Sequence, residues 1–159
     1  MEKYLEALVL IQQPVNPSFT MKSYLEKLSE TKIQLLNNLS ICNASVIIQD
    51  KVKSTQPTIK ECLVKLATSS LTILSKIKGM SPQNIITDNT ELFEKKNADY
   101  GNSFVDFGLI GIIVRLNDKI NRILNLGNVE PQIMQVDEKI EDTVNDLYNY
   151  CIIGLMYNL

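Results

Sequence analysis

The sequence predicts an all-α protein, a helical bundle of about five to six helices in which an acidic C-terminal three-helix half packs on a basic N-terminal helical half. Three observations lead there. Apolar residues recur at three- and four-residue steps along much of the chain, the spacing that lines one side of an α-helix. At 45% hydrophobic and 21% charged, the 159 residues can bury a sizeable core and lack the charge excess of a disordered tail. Charge also divides along the chain. Met1 to Thr87 holds ten Lys against six Asp or Glu, a balance of +4, whereas Asp88 to Leu159 holds six Lys or Arg against twelve Asp or Glu, a balance of −6.

Glu2 to Gln12 reads as a short leading helix, ended by Pro14 and Pro17. Met21 to Leu39 places Leu25, Leu28, Leu35, Leu36 and Leu39 on one stripe and reads as a second helix. Ala44 to Lys53, with Val46, Ile47, Ile48 and Val52, fits a helix or a short extended piece equally well, because so brief an apolar run does not decide between them. Ile59, Cys62, Leu63, Leu66, Ser70, Ile73, Leu74 and Ile77 form a strong helical stripe, preceded by Pro57 where a first turn tolerates it. Gly79-Met80-Ser81-Pro82 then marks a seam, a helix-stopping Gly with Pro shortly beyond. It separates an N-terminal half, residues 1–80, from a C-terminal half, residues 88–159, expected to pack as one compact unit. Beyond the seam three helices are predicted. They run from about Thr90 to Ala98, capped by Asp88 or Asn89, from about Ser103 to Leu126, closed by Gly127, and from about Asp137 to Met156. Asn128 to Gln135, with Pro131, reads as a loop, and Asp99-Tyr100-Gly101 as a turn between helices.

Composition also excludes whole classes of chemistry. Histidine is absent, which removes the commonest general base, the commonest zinc ligand and every Ser-His or Cys-His nucleophile arrangement. Cys42, Cys62 and Cys151 are isolated and odd in number, so neither a disulfide framework nor a structural zinc site is expected. The richest apolar run, Phe104 to Leu116, is interrupted by Asp106 and Arg115, so no membrane span is expected. The opening Glu2-Lys3-Tyr4 lacks the pattern of an export signal, and a reducing, cytoplasmic setting is the expectation. The modest positive balance of the N-terminal half is spread out, so direct DNA binding is not expected. Any catalysis has to come from carboxylates, which favour magnesium or manganese over zinc.

Those carboxylates fall on three predicted helices. On the last, Glu138, Asp142, Asp146 and Asn149 lie opposite the apolar row Ile140, Val144, Leu147, Cys151 and Leu155. Ile153 shares the side of Asp142, Asp146 and Asn149, which predicts that this polar stripe runs into covered protein. Two carboxylates one turn apart repel unless a cation joins them. On the preceding helix Arg115, Asp118, Arg122 and Asn125 share a stripe amid Leu109, Ile112, Ile113, Leu116, Ile120, Ile123 and Leu124. So apolar a helix is expected to be buried around most of its circumference, leaving Asp118 to pair with Arg115 or Arg122, or to hold a metal. Glu91 and Glu94, three apart, form an ordinary solvated pair when taken alone.

Three segments in order carry a family resemblance. They are Lys95-Lys96-Asn97-Ala98-Asp99-Tyr100-Gly101-Asn102-Ser103-Phe104, then Val114-Arg115-Leu116-Asn117-Asp118-Lys119-Ile120-Asn121-Arg122-Ile123, then Ile140-Glu141-Asp142-Thr143-Val144-Asn145-Asp146-Leu147-Tyr148-Asn149-Tyr150. Together they resemble the nucleotide modification associated domain 1 family, with its K-x-x-D-Y-G turn, D-K-x-x-R helix and E-D-x-x-x-D-L-x-x-Y helix. The resemblance spans roughly Glu91 to Met156. It implies a helical domain found in phage and bacterial settings and tied to nucleotide or base modification. The layout is also similar, more distantly, to the all-α nucleoside triphosphate pyrophosphohydrolases of the MazG and dimeric dUTPase kind, in which E-x-x-E and E-x-x-D helices hold magnesium. Glu91xxGlu94 fits the first element, whereas Asp142xxxAsp146 departs from the second by one residue.

The resemblance implies that Glu91, Glu94, Asp118, Asp142 and Asp146 ligate magnesium, or manganese in its place, with Glu94, Asp118, Asp142 and Asp146 carrying the reaction. Lys95, Lys96 and Arg122 would meet phosphate oxygens, and Asp99, Tyr100 and Asn149 the base or sugar. An acidic pocket can accept a polyanionic triphosphate only through bridging cations. The expected activity is hydrolysis of a nucleoside triphosphate, (deoxy)ribose form included, to monophosphate and pyrophosphate. The alternative is a helical module that binds a nucleotide or a partner protein without turnover. A homodimer is the preferred assembly.

Overall fold

Side-chain caps and two left-handed glycines fix where the helices begin, end and bend. The computed structural model describes residues 2–12, 16–41, 57–100, 103–127 and 138–157, with side chains for all of these except 40, 41, 97–100, 103–107, 138 and 139. The described residues form six helices and no strand: α1 (Glu2–Val9), α2 (Met21–Ile41), α3 (Ile59–Lys78), α4 (Pro82–Tyr100), α5 (Ser103–Gly127) and α6 (Glu138–Tyr157). The sequence-predicted all-α class therefore holds. The Ala44 to Lys53 segment, Cys42, and the Asn128 to Gln135 loop lie outside the described residues.

Thr20 starts α2, its hydroxyl accepting from the Ser23 backbone N–H at 3.1 Å. Thr58 starts α3 in the same way, accepting from Glu61 N–H at 3.1 Å. At the other end of α3, Gly79 adopts φ 63° and returns its N–H to the Ser75 carbonyl. Lys76, near that end, donates to the carbonyls of Pro17 and Phe19 and ties the approach to α2 onto α3.

Two helix boundaries differ from the sequence reading. The helix expected from about Thr90 begins eight residues earlier, at Pro82, because Ser81 caps it and Pro82 occupies the first helical position, where a missing N–H costs nothing. Asp88 and Asn89 are consequently interior residues rather than caps, and Asp99 and Tyr100 belong to the end of α4 rather than to a turn. The second difference is a bend in α5. Gly108 sits at φ 58°, ψ −147°, a conformation side chains other than glycine's rarely reach, and it breaks the helix between its first turn and its long body.

One hydrophobic cluster joins all six helices, running from Tyr4 on α1 to Leu155 on α6 and drawing on both sides of the Gly79 seam. Its centre is α6, which packs most extensively on α3, then on α5, then on α1. Ile140, Val144, Leu147, Cys151 and Leu155 are buried as their spacing predicts. Gly154 allows the closest approach: a Cβ there would lie 3.1 Å from Leu63 of α3 and 3.4 Å from Ile112 of α5. Helix α2 covers α3 and α5, while the Tyr4 ring of α1 stacks on Phe93 of α4 with centroids 4.2 Å apart. Of the α2 stripe, Leu28 and Leu35 are buried but Leu36 is 42% exposed. Tyr24, not among the expected core residues, is fully buried and shares a 2.8 Å hydrogen bond with Ser70 of α3.

Burial pushes four acidic protons of this core upward: desolvation raises the Tyr24 and Tyr148 phenols above their ordinary 10.0 and the Cys62 and Cys151 thiols above their ordinary 9.0. For each, the unfolded chain loses its proton at a lower pH than the folded one. Their contribution is complete below the unfolded values and declines as pH rises through them. The thermal midpoint is therefore expected to hold steady from neutral pH to about pH 8.5 and to fall progressively above about pH 9, as measured by circular dichroism melts across that range. Cys151→Ser removes one of the two thiols that ionise first and should make that fall shallower between about pH 9 and pH 10, with Cys62 still contributing.

Candidate functional site

The polar side of α6 emerges where α4 and α5 flank it. At about 100° per residue, Asp142, Asn145, Asp146 and Asn149 occupy one broad side of the helix. The prediction that this stripe enters covered protein holds at Ile153, which is buried, and not at Asp142 or Asp146, which are exposed.

Toward α4 the side carries an amide network. Asn89 and Asn145 exchange a reciprocal pair of hydrogen bonds, Nδ2 to Oδ1 in each direction at 3.0 Å. Asn89 Nδ2 also donates to the Ile85 carbonyl at 3.0 Å, and Asn89 Oδ1 accepts from Asn149 Nδ2 at 2.9 Å. Asn89 thus uses both amide hydrogens and both carbonyl lone pairs, which is how a side chain only 4% exposed can sit between two helices. Asn149 Nδ2 donates also to the Asn145 carbonyl at 3.1 Å. The half-buried Asn145 and Asn149 keep hydrogen-bonding capacity not used among the described residues: one N–H and one lone pair on Asn145, and the carbonyl oxygen of Asn149.

Toward α5 the side carries charge. Lys119 Nζ lies 3.0 Å from Asp146 Oδ2. Arg115 Nη1 donates to Tyr150 Oη at 3.2 Å, with its guanidinium 5.9 Å from the Tyr150 ring centroid. Glu141, at the edge of the same side, reaches Lys78 of α3 at 3.6 Å.

The other candidates sit elsewhere. Glu91 and Glu94 are exposed, and from Asn89, which faces α6, they are turned by about 200° and 140° around α4, so they point away from α6. Asp118 is likewise exposed, about 200° around α5 from the buried Leu116. The expectation that Asp118 is covered, and so pairs with Arg115 or Arg122 or holds a metal, is corrected as to its burial: α5 leaves a solvent-facing strip that also includes Ile110, 67% exposed, and Val114, 56% exposed. Water solvates Asp118 there, and the ion pairs run across to α6 instead of along α5. Lys95, Lys96 and Arg122 are exposed; for Asp99 and Tyr100 the backbone alone is described. Among the described residues no three Asp, Glu, Cys or His side chains are grouped so as to hold a metal ion. Cys62 and Cys151 are free and buried. No helix among the described residues is long and apolar enough to cross a membrane.

Asn89, Asn145, Lys119 and Arg115's partner Tyr150 were not among the sequence-derived site residues. Asn favours a cap position, and only its place seven residues past Pro82 reveals Asn89 as a buried interior amide. Lys119 carried a usable signal, its four-residue step from Arg115 on the same face.

An all-α bundle with a polar strip between its last three helices is the class of protein these features define. Residues 96–157 match the family model described as nucleotide modification associated domain 1, the family that the three motifs resemble. The match takes in the end of α4 and all of α5 and α6. No curated protein and no solved structure matches the chain.

The amide network gives a direct stability test. Replacing Asn89 with Leu removes the partner of two other amides while keeping the branched heavy-atom shape of the side chain, and should destabilise the protein by about 2 kcal/mol in urea unfolding. Gln83→Ala, at an exposed position on the same helix, should change stability by less than about 0.5 kcal/mol. Equal effects at the two sites would mean that the network contributes nothing.

Proposed function

We propose that the C-terminal helices form a nucleotide-binding module in which the polar side of α6 receives the ligand between α4 and α5. The observation that carries this reading is that Asp142, Asp146 and Asn149 come to one accessible side within the segment that matches the nucleotide modification associated domain. Asn145 and Asn149 retain the hydrogen-bonding capacity to meet a base or sugar. Lys95, Lys96 and Arg122 are exposed cations of the same domain and remain candidates for phosphate contact.

Magnesium enters as part of the ligand. Mg2+ keeps several waters and takes one or two carboxylates together with substrate phosphates, rather than a full cage of protein oxygens. Asp142 and Asp146, exposed and one turn apart, suit that mode. Glu91, Glu94 and Asp118, on outward faces of α4 and α5, do not supplement them, so phosphate oxygens complete the coordination. Bound in this way the ion offsets the like charges of carboxylate and phosphate and lowers the pKa of a coordinated water. The stronger form of the proposal, hydrolysis to monophosphate and pyrophosphate, rests on that water and on the same two aspartates.

Calorimetric titration of each deoxynucleoside triphosphate, with and without magnesium, tests the reading. Saturable binding that requires magnesium is expected for at least one base, and Asp142→Asn should weaken it by about ten-fold or more while the helical circular dichroism stays unchanged. Absence of binding for every nucleotide, modified bases included, removes the proposal. Pyrophosphate release under the same conditions separates turnover from binding alone, and its absence beside tight binding leaves the non-catalytic module.

A further inference from the structure

Arg115, Lys119 and Arg122 follow one another on α5 at steps of four and three, so the three cations form a row along one face. On α6, Tyr150, Asp146 and Asp142 recur at steps of four. The two helices run in opposite senses there, since Arg115 meets Tyr150 and Lys119 meets Asp146. The same register brings Arg122 to the level of Asp142. Arg122 nevertheless makes no ion pair among the described residues, and both it and Asp142 are exposed. Three cations thus line α5 at the level of Asp142 and Asp146, with Asp118 one turn from both Arg115 and Arg122 on α5 itself, and Lys119 is the most covered of the row: its side chain is 25% exposed against 51% for Asp146.

We propose that this row is a binding site for a di- or triphosphate group and that Asp146 is its built-in competitor, holding Lys119 until a phosphate takes the ammonium. The proposal deepens the nucleotide-binding reading, on which its biological ligand depends. Guanidinium forks and an ammonium at helical spacing suit a chain of phosphate oxygens. Asp146 satisfies Lys119, and the same carboxylate repels an arriving polyanion. A divalent cation then has a second role beyond bridging: by drawing Asp146 to itself it releases Lys119 to the phosphate. Arg115 and Lys119, assigned no ligand contact by the sequence motifs, become phosphate contacts, and the Lys119–Asp146 pair becomes a gate.

Inorganic pyrophosphate is the probe, titrated calorimetrically into the full chain, first without divalent cation and then with magnesium. Without the cation, Asp146→Asn should bind pyrophosphate about two- to five-fold more tightly than the wild type, the worth of a partly exposed ion pair. Glu61→Gln makes the same change in net charge at an exposed position at the opposite end of α3 from Lys78 and should leave the affinity unaltered, which separates the gate from general electrostatics. Lys119→Ala and Arg122→Ala should each weaken binding, and adding Asp146→Asn to Lys119→Ala should give no gain, because the competitor acts through Lys119. These are surface substitutions, and circular dichroism melts confirm that each variant is folded. An Asp146→Asn affinity equal to or below that of the wild type without cation overturns the gate, as does an equal gain in Glu61→Gln. A nucleoside triphosphate arm distinguishes the two levels. If pyrophosphate behaves as described and no nucleotide binds more tightly than pyrophosphate, the phosphate row stands and the nucleotide reading falls. If nucleotides bind with magnesium and Lys119→Ala and Arg122→Ala leave that affinity unchanged, the nucleotide reading stands and the row falls.

Discussion

The fold depends on how closely α6 can be enclosed. A helix buried against three others has to bring backbones together at some point, and Gly154 is that point, with Leu63 of α3 and Ile112 of α5 pressing on the place where a side chain would project. Once α6 is held there, its apolar rows are committed to α1, α3 and α5, and its polar residues have a single strip left to occupy. The candidate site is therefore a consequence of packing. It is the part of the central helix that the enclosing helices leave polar.

That strip is handled in two ways on its two edges. Against α4 it is buried, and a buried amide costs free energy unless each of its hydrogen-bonding positions is met. Asn89 meets all four of its own by joining Asn145, Asn149 and the Ile85 carbonyl. Such an arrangement also specifies geometry, because a shift of α4 along α6 by even one residue would leave several of these groups unpaired. Against α5 the strip is open, and charges replace amides. Pairs such as Lys119 with Asp146 contribute little to stability when water reaches them. A weak pair is easily exchanged, so the open edge suits ligand exchange while the buried edge suits alignment.

Helix identity was legible in the sequence because it depends on short-range spacing. The stripes of α3 and α6 were read residue by residue, and Cys62, Leu63, Leu66, Leu74, Val144, Leu147 and Cys151 are indeed buried. The start of α4 was missed because Ser81-Pro82 serves equally as the end of a seam and as a cap with its first helical residue. The bend at Gly108 was missed because the apolar period continues through it, and periodicity does not register one left-handed residue. Tyr24 escaped the core prediction because its burial depends on a hydroxyl partner, Ser70, forty-six positions away.

The candidate site was legible as a set of residues and not as a set of directions. Counting carboxylates at helical steps places Glu91 with Glu94 and Asp118 with its arginines, yet the choice between facing a neighbour and facing water is made by the neighbour. On α5 the core claims Ile112, Leu116, Ile120 and Ile123, and this forces Asp118 outward however apolar the helix is as a whole. Lys119, one residue further on, is rotated by about 100° and so reaches α6. The charge pattern along α5 accordingly suggested a ladder of Arg115, Asp118 and Arg122 within one helix, while the folded chain directs Arg115 to Tyr150 and leaves Asp118 and Arg122 without an ion pair among the described residues. A cation on α5 finds its acid on α6, and the acid on α5 finds water. The same step of one residue that separates Asp118 from Lys119 separates a solvated carboxylate from the centre of the proposed phosphate row.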